Sequence, residues 1–233
     1  MHKVGLIGHG AFGTLLTDQL SQVCDFTIYD PLTSPDNLQT ALAQPIIVFA
    51  LPIQTLEPFL LEQAALLRPD ALYIDVGSVK IEPVRIMMKH LPASASIIAT
   101  HPLFGPSSAK DGLRGQRIML HRTRATNDVY QQFVTFLTDL GLQCIETTPE
   151  KHDEAMAYVQ GLSHYIGRVL KNMDVPRSDL ATRAYQDLLD MKDILGNDSD
   201  ELFSAITHLN PYTAEILAAF TAAQHQVNQQ FKI

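Results

Sequence analysis

Two short polar stretches of the sequence carry the residues best suited to acid–base chemistry. They are DVGSVK at 75–80 and THPLFGP at 100–106. His101 directly precedes a proline, which restricts its backbone to extended conformations. A neutral imidazole held in this way can accept a proton from a hydroxyl group, while Ser78 holds the same hydroxyl and Lys80 offers a positive charge. His101 and Ser78 are therefore the candidate catalytic residues, although a structural loop histidine also fits the pattern.

A glycine-rich turn near the start of the chain predicts a dinucleotide cofactor for that chemistry. Gly8, Gly10 and Gly13 have the spacing G-x-G-x-x-G, between an apolar strand at 3–7 and a predicted helix at 14–22. The missing side chains allow a tight turn, the approach of a pyrophosphate to the backbone, and close packing of helix on strand. The predicted cofactor-binding residues of this turn are Gly8, Gly10, Ala11, Phe12 and Gly13.

An acidic residue ends the next predicted strand, at 26–29. Asp30 can accept both ribose hydroxyls of NAD but would repel the 2′-phosphate of NADP. The sequence therefore predicts NAD as the cofactor and adds Asp30 to its site. Hydride loss to a nicotinamide and proton loss to His101 would together oxidise an alcohol. His9, between two of the glycines, is interpreted as an ordinary loop residue.

Apolar runs and helical periods alternate through the first 148 residues. Further strands are predicted at 46–50, 71–75, 96–100, 117–120 and 142–146, with helices starting at Pro52 and covering 81–90 and 127–140. This alternation predicts an α/β fold, a Rossmann-type doubly wound and mostly parallel sheet. Ligands of such sheets bind at the carboxyl ends of the strands, where residues 75–80 and 100–106 lie.

The remainder of the chain has helical periodicity only. Helices are predicted at 150–173, 178–195, 199–208 and 211–229. We therefore divide the chain into a dinucleotide-binding domain at 1–148 and a small all-helical domain at 149–233 for substrate binding and dimerisation. An apolar run in the last helix predicts a homodimer contact, with packing on the first domain as the alternative. Its members are Tyr212, Ile216, Leu217 and Phe220.

A helical wheel gives the first of these helices two faces. An apolar face contains Tyr158, Val159, Leu162, Ile166 and Val169, and a polar stripe contains Asp153, Gln160, His164 and Lys171. Such a stripe most often faces solvent, which is the interpretation we adopt from the periodicity alone. A functional role for the stripe stays open at this point.

Composition limits the classes of partner. The chain has 233 residues, a formal net charge of −8 and 46% hydrophobic residues. The acidic balance argues against nucleic acid or an anionic membrane as the main partner. With the glycine motif so close to Met1 and no long apolar run, we expect a soluble cytoplasmic protein. Cys24 and Cys144 are expected to be reduced thiols, and no metal-ligand spacing is present.

Taken in order, these motifs resemble those of the prephenate dehydrogenases of tyrosine biosynthesis. The resemblance covers the glycine turn, Asp75-x-Gly-Ser78-x-Lys80, His101-Pro-Leu-Phe-Gly-Pro106 and a histidine-containing stretch that ends at His164. It runs from residue 3 to at least residue 164. Its most specific part is His-Pro-x-Phe-Gly-Pro.

The resemblance implies that prephenate and NAD give 4-hydroxyphenylpyruvate, carbon dioxide and NADH without a metal. It also implies that His101 bonds the ring hydroxyl with help from Ser78, and that the polar face with Gln160 and His164 looks into the substrate cleft. The family uses an arginine of the helical domain for a substrate carboxylate, because a guanidinium binds carboxylate in a bidentate manner. The nearest match is Arg183. Lys80 and Arg168 are the other candidates.

Two other functions remain open. Arogenate differs from prephenate by an amino group in place of the ketone, and nothing in the sequence distinguishes the two side chains. The helical domain is short for the family, and we expect no appended regulatory domain. The second alternative is a catalytically weak NAD-binding regulator that has kept the NAD site and lost the substrate site.

Overall fold

The computed structural model of the chain describes residues 1–232. It contains two compact units, of which the first is Met1–Pro149 and the second begins at Glu150. Throughout the described residues, each helix is too short or too polar to cross a lipid bilayer.

The first unit is built on a seven-stranded sheet with the strand order β2-β1-β3-β4-β5-β6-β7. Neighbouring strands are parallel except β5 and β6, which are antiparallel. The strands are β1 (His2–Ile7), β2 (Cys24–Tyr29), β3 (Ile46–Phe49), β4 (Leu72–Asp75), β5 (Ser96–Pro102), β6 (Arg117–Arg124) and β7 (Gln143–Glu146). This arrangement confirms the predicted Rossmann-type, mostly parallel sheet. β6 continues beyond the predicted end at Leu120, because it pairs along β5 as far as Arg124.

Five α-helices connect these strands. They are α1 (Ala11–Leu20), α2 (Leu38–Leu42), α3 (Ile53–Glu62), α4 (Ile81–His90) and α5 (Asn127–Asp139). α4 has the predicted bounds, whereas α1 begins three residues earlier than the predicted Thr14 and directly after Gly10. Its first turn therefore includes Gly13, the last glycine of the motif, while Gly8 and Gly10 precede the helix.

The sheet separates two apolar clusters. Ile97 and Ile98 are adjacent in β5 and both fully buried, yet they belong to different clusters, since successive side chains of a strand point to opposite faces. One cluster includes side chains of α2, α3 and α4, and the other includes side chains of α1 and α5. Helices therefore cover both faces of the sheet.

The second unit consists of helices interrupted by two π-helical segments. The helices are α6 (Pro149–Met156), α7 (Ser163–Asn172), α8 (Arg183–Leu195), α9 (Asp200–Ser204) and α10 (Thr213–Phe231), and the π-helical segments are Ala157–Leu162 and Ala205–Leu209. α8 begins at Arg183, later than the predicted Ser178. Thr182 caps it, since its hydroxyl accepts a hydrogen bond from the Tyr185 N–H.

The two faces of the first helical stretch differ from the wheel prediction. Tyr158 and Val159 of the apolar face are 59% and 61% exposed, whereas Asp153 and His164 of the polar stripe are 0% and 8% exposed. The solvated-face interpretation is therefore wrong for these two polar residues. For His164 the physical reason is the π-helical segment Ala157–Leu162, whose i→i+5 hydrogen bonds change the angle per residue before it. Asp153 precedes that segment and is buried with polar partners, since its carboxylate lies 2.7 Å from His152 Nδ1 and its carbonyl accepts from the Asn210 amide.

The apolar run of α10 packs within its own unit. The Phe220 ring lies 6.2 Å from the Tyr165 ring, edge to face. Earlier in the helix, buried Thr213 lies so close to Gly161 that a Cβ on the glycine would be 2.7 Å from Thr213 Cγ2. The homodimer contact assigned to this run stays a prediction.

Two adjacent leucines of α3 offer a matched test of the core. Leu60 is fully buried, and Leu61 is 59% exposed. We expect Leu60→Ala to lower the free energy of unfolding by about 2–5 kcal/mol, because it leaves a cavity in the core. Leu61→Ala makes the same change in helix propensity and should stay within about 0.5 kcal/mol of the parent. Urea unfolding of both variants measures the difference, and equal losses would contradict this packing.

Candidate active site

The glycine turn has the geometry needed to receive a phosphate group. Gly8 has a φ of +99°, which favours glycine, and its N–H donates to the Tyr29 carbonyl at 2.8 Å. A Cβ on Gly13 would lie 2.5 Å from the Gly8 carbonyl oxygen, so this glycine is required for close packing of α1. A Cβ on Gly10 would meet no atom of residues 1–232 within 4 Å. Open space therefore lies beside the backbone at the start of α1.

The amino end of α1 adds a favourable electrostatic environment. Gly10 is its N-cap residue, no side chain caps the helix, and its first turn contains no acidic residue. The first amides of a helix and its dipole favour an anion at this point. Ala11 is exposed, and the half-buried Phe12 ring lies 6.3 Å from the ring of Phe104, within the second polar stretch.

Asp30 organises the turn after β2. One carboxylate oxygen accepts the His9 N–H at 3.0 Å, and the other accepts the N–H groups of Leu32 and Thr33 at 3.0 and 3.2 Å. These bonds, with the one from His9 the largest contributor, hold the pKa of the Asp30 carboxyl below its usual value. The carboxylate is thus ionised at neutral pH. It also links the glycine turn to the end of β2.

The two candidate catalytic residues lie at the carboxyl ends of adjacent parallel strands. Ser78 follows β4, whereas His101 is the next-to-last residue of β5 and pairs with Met119 of β6. Asp75 of β4 pairs with Ala99 of β5, so Ser78 and His101 follow that pair by three and two residues. His101 is 4% exposed and Ser78 is 9% exposed. The Ser78 hydroxyl oxygen is buried and has no hydrogen-bond partner among residues 1–232. A buried hydroxyl in this state is available to hydrogen-bond a bound ligand or an ordered water.

Lys80 lies in the interior rather than at an open surface. Its side chain is fully buried, and its ammonium donates to the Asp75 carboxylate and to the Thr100 carbonyl. The substrate-binding role predicted for Lys80 does not fit this position, because a substrate carboxylate cannot reach an ammonium that is already surrounded. The sequence motif identified the residue without indicating that the lysine folds back onto Asp75.

In the second unit, His164 of α7 is buried beside an acidic residue. Its Nδ1 lies 2.7 Å from a carboxylate oxygen of Asp198, in the loop between α8 and α9. Gln160 is half-buried in the π-helical segment one turn earlier. Asp198 was missed by the sequence analysis, since its pairing with a residue 34 positions away leaves no local pattern.

The two candidate arginines have different environments. Arg183, at the start of α8, has a side chain that is 87% exposed and lies 2.8 Å from the Asp187 carboxylate. Arg168 of α7 donates to the Asp200 carboxylate and to the Asp198 carbonyl, and its guanidinium lies 4.8 Å from the centre of the Phe203 ring. Arg183 is thus the more accessible of the two cations.

The first unit therefore has the properties of a nucleotide-binding dehydrogenase domain: a glycine turn at a helix start and polar residues at the strand ends. The family model for the nucleotide-binding domain of prephenate dehydrogenase matches residues 21–146. A second model, the TYRAAT1-like C-terminal domain, matches residues 169–233. The chain belongs to the prephenate/arogenate dehydrogenase family. This confirms the resemblance found in the sequence.

Named relatives agree with this assignment. Arogenate dehydrogenase 2 of Arabidopsis thaliana, a chloroplastic protein, is 33% identical over 169 residues, which cover 70% of this chain and 47% of the relative. A probable arogenate/prephenate dehydrogenase of Methanocaldococcus jannaschii is 29% identical over 206 residues, which cover 84% of this chain and 46% of the relative. The chain thus spans about half the length of these two relatives.

Solved structures share the fold. Arogenate dehydrogenase from Synechocystis superposes with a TM-score of 0.69 at 20% identity, covering 99% of this chain and 94% of that one. Prephenate dehydrogenase from A. aeolicus, in complex with hydroxyphenyl propionate and NAD+, gives a TM-score of 0.73 at 19% identity, covering 99% and 91%. At these identities the comparison establishes the fold and no more.

The Ser78 hydroxyl can be tested apart from any activity. Because its oxygen makes no hydrogen bond, we expect Ser78→Ala to change the free energy of unfolding by less than about 0.5 kcal/mol. Thr100→Val is the matched change nearby, since the Thr100 hydroxyl donates to the Asp75 carbonyl at 2.6 Å. It should lower that free energy by about 1–3 kcal/mol. Urea unfolding gives both values, and an equal loss in the two variants would indicate an internal partner for Ser78.

Proposed function

We propose that this chain binds NAD and uses it for the oxidative decarboxylation of prephenate or arogenate in tyrosine biosynthesis. The observation that carries the proposal is the pair of residues at the ends of β4 and β5. There a buried histidine is the next-to-last residue of β5, and a serine follows the neighbouring strand β4 with a hydroxyl that has no partner among residues 1–232. The proposed domain roles follow: cofactor binding at 1–148, and substrate binding and dimerisation at 149–233.

The residues of the glycine turn fit NAD. Gly8, Gly10, Ala11, Phe12 and Gly13 would hold the pyrophosphate, because α1 begins there with uncapped amides and open space beside Gly10. Asp30 would accept hydrogen bonds from the ribose hydroxyls, since its carboxylate is ionised and partly accessible. The chemistry that NAD supplies when bound is the acceptance of a hydride.

His101 and Ser78 would act on the ring hydroxyl of the substrate. The His101 imidazole accepts the hydroxyl proton as the carbon that carries it is oxidised. Ser78 holds the hydroxyl oxygen in line, which gives its own hydroxyl the missing partner. Loss of the ring carboxylate as carbon dioxide then leaves its electron pair in the ring, which becomes a phenol. The proton held on His101 can be returned to that oxygen.

The second unit would bind the side chain and carboxylate of the substrate. His164 and Gln160 are the proposed contacts, as the family resemblance implies. Arg183 remains the proposed partner of a substrate carboxylate. Its pairing with Asp187 is exposed and therefore worth little, so a bidentate substrate carboxylate can replace it. The cytoplasmic location and the homodimer stay predictions.

One observation favours arogenate as the preferred substrate. The Asp198 carboxylate lies 2.7 Å from His164, a proposed substrate contact. A carboxylate in this position attracts the ammonium group of arogenate and has no comparable interaction with the ketone of prephenate. Two of the curated relatives are also named arogenate dehydrogenases.

The main test measures NADH formation with each substrate in parallel. We expect the purified chain to reduce NAD with at least one of them, and His101→Asn to lower turnover by about two to four orders of magnitude by removing the proton acceptor. NAD binding, measured by calorimetry, should be unchanged in this variant.

Three outcomes of this test have distinct meanings. Near-normal turnover in His101→Asn would show that another group takes the proton. NAD binding without turnover of either substrate would support the regulatory function instead. Failure to bind NAD would remove the basis of the proposal.

Substrate preference can be tested at Asp198. We expect Asp198→Asn to lower the ratio of kcat/KM for arogenate to kcat/KM for prephenate by about tenfold, through loss of one charge interaction of roughly 1.4 kcal/mol. The ratio cancels any general disturbance of His164. Asp200→Asn is the control, because that side chain is 90% exposed and pairs with Arg168. An unchanged ratio in Asp198→Asn would exclude this carboxylate as the determinant.

A further inference from the structure

The Asp75–Lys80 pair links both strand ends of the candidate active site. Asp75 is the last residue of β4, and Lys80 directly precedes α4, so the pair closes the loop that carries Ser78. Asp75 is 2% exposed and Lys80 is fully buried. Neither residue can therefore contact a substrate.

The hydrogen bonds of the pair reach the two candidate catalytic segments. The Asp75 carboxylate accepts the Gly77 N–H at 3.1 Å and the Thr100 N–H at 3.4 Å. The Lys80 ammonium donates to the carbonyl of Thr100. Gly77 is the residue before Ser78, and Thr100 is the residue before His101. One ion pair thus holds the backbone next to each catalytic candidate.

Stability alone does not explain a charged pair in this position. Burial raises the pKa of the Asp75 carboxyl, and the Lys80 ammonium opposes that rise. Well-packed apolar residues of similar volume can stabilise a fold as well as a buried ion pair does. Apolar side chains cannot, however, bond the Gly77 and Thr100 backbone groups. They would leave the loop that carries Ser78 free to shift relative to Thr100 and His101, which the pairing of β5 with β6 holds.

We propose that Asp75 and Lys80 are positioning residues that fix Ser78 and His101 relative to each other for the reaction. The proposal rests on the proposed function. A displacement of about 1 Å between reacting groups lowers turnover by roughly 100-fold. The pair therefore sets the turnover number, and it does so without contacting substrate or cofactor.

The test uses the single variants Lys80→Met and Asp75→Leu and the double variant that combines them, because a leucine side chain cannot accept the Gly77 and Thr100 N–H groups. Each single change leaves an uncompensated buried charge and should lower the midpoint of thermal unfolding. The double variant has no charge at either buried position, so its midpoint should return most of the way to that of the parent. We expect its kcat to stay roughly 100-fold below the parent, with KM for NAD within about twofold. Recovery of kcat together with thermal stability would overturn the proposal.

A second measurement does not depend on activity. Nitrogen–proton spectra of the histidine side chains report the environment of His101, whose signals are assigned by their loss in His101→Asn. We expect these signals to shift or broaden in the double variant. Unchanged His101 signals would overturn the positioning role. If the parent turns over neither substrate, the proposed function fails, and this spectrum alone decides whether the pair positions His101.

Lys89→Met is the matched control on the same helix. Lys89 is exposed and pairs with Glu57 at 3.0 Å, on the outer side of α4. The substitution Lys89→Met makes the same chemical change as Lys80→Met without touching the segment of Ser78 or that of His101. We expect its kcat, its thermal midpoint and its His101 signals to match the parent, and a loss of kcat equal to that of Lys80→Met would overturn the assignment.

Discussion

The buried contact between the Asp75 carboxylate and the Lys80 ammonium is the interaction on which the candidate active site depends. Removing two charges from water is unfavourable, and the pair is tolerated because hydrogen bonds surround both groups. Those bonds end on the backbone just beyond Asp75 and Ala99, the last pair between β4 and β5. Thr100 stays paired with Leu120 of β6, whereas Gly77 has left the sheet, so the side-chain bonds fix the loop that carries Ser78 against β5.

Much of the first unit could be predicted from the sequence, because local signals and the final fold agree there. The glycine spacing fixes a turn that only residues without a Cβ can make, as the 2.5 Å approach of a Cβ on Gly13 to the Gly8 carbonyl illustrates. The direction of each strand was harder to predict from the sequence. β6 is antiparallel to β5, and an apolar run has the same pattern in either direction. The burial of Lys80 was also hidden, since the sequence shows a charge and not its partner.

The second unit was harder to predict because its helices depart from the regular period. A helical wheel assumes the same rotation at every residue, and the π-helical segment Ala157–Leu162 breaks that assumption. The stripe was correctly grouped as polar, but two of its members, Asp153 and His164, are buried. The partner of His164 could not be found from the stripe at all. Asp198 lies in a different loop, and only the folding of α7 against α8 brings the two residues together.

In this acidic chain, each candidate cation can bind an anionic substrate only by exchanging an internal carboxylate for the carboxylate of the substrate. Lys80, Arg168 and Arg183 each already have an internal carboxylate partner. A substrate carboxylate must replace that partner. The replacement is unfavourable at Lys80, where the displaced Asp75 carboxylate would stay buried and unpaired, and nearly neutral at Arg183, where water solvates the displaced Asp187. Exposure of the existing pair, more than distance from the candidate catalytic residues along the sequence, therefore ranks Arg183 above Lys80 as the proposed partner of a substrate carboxylate.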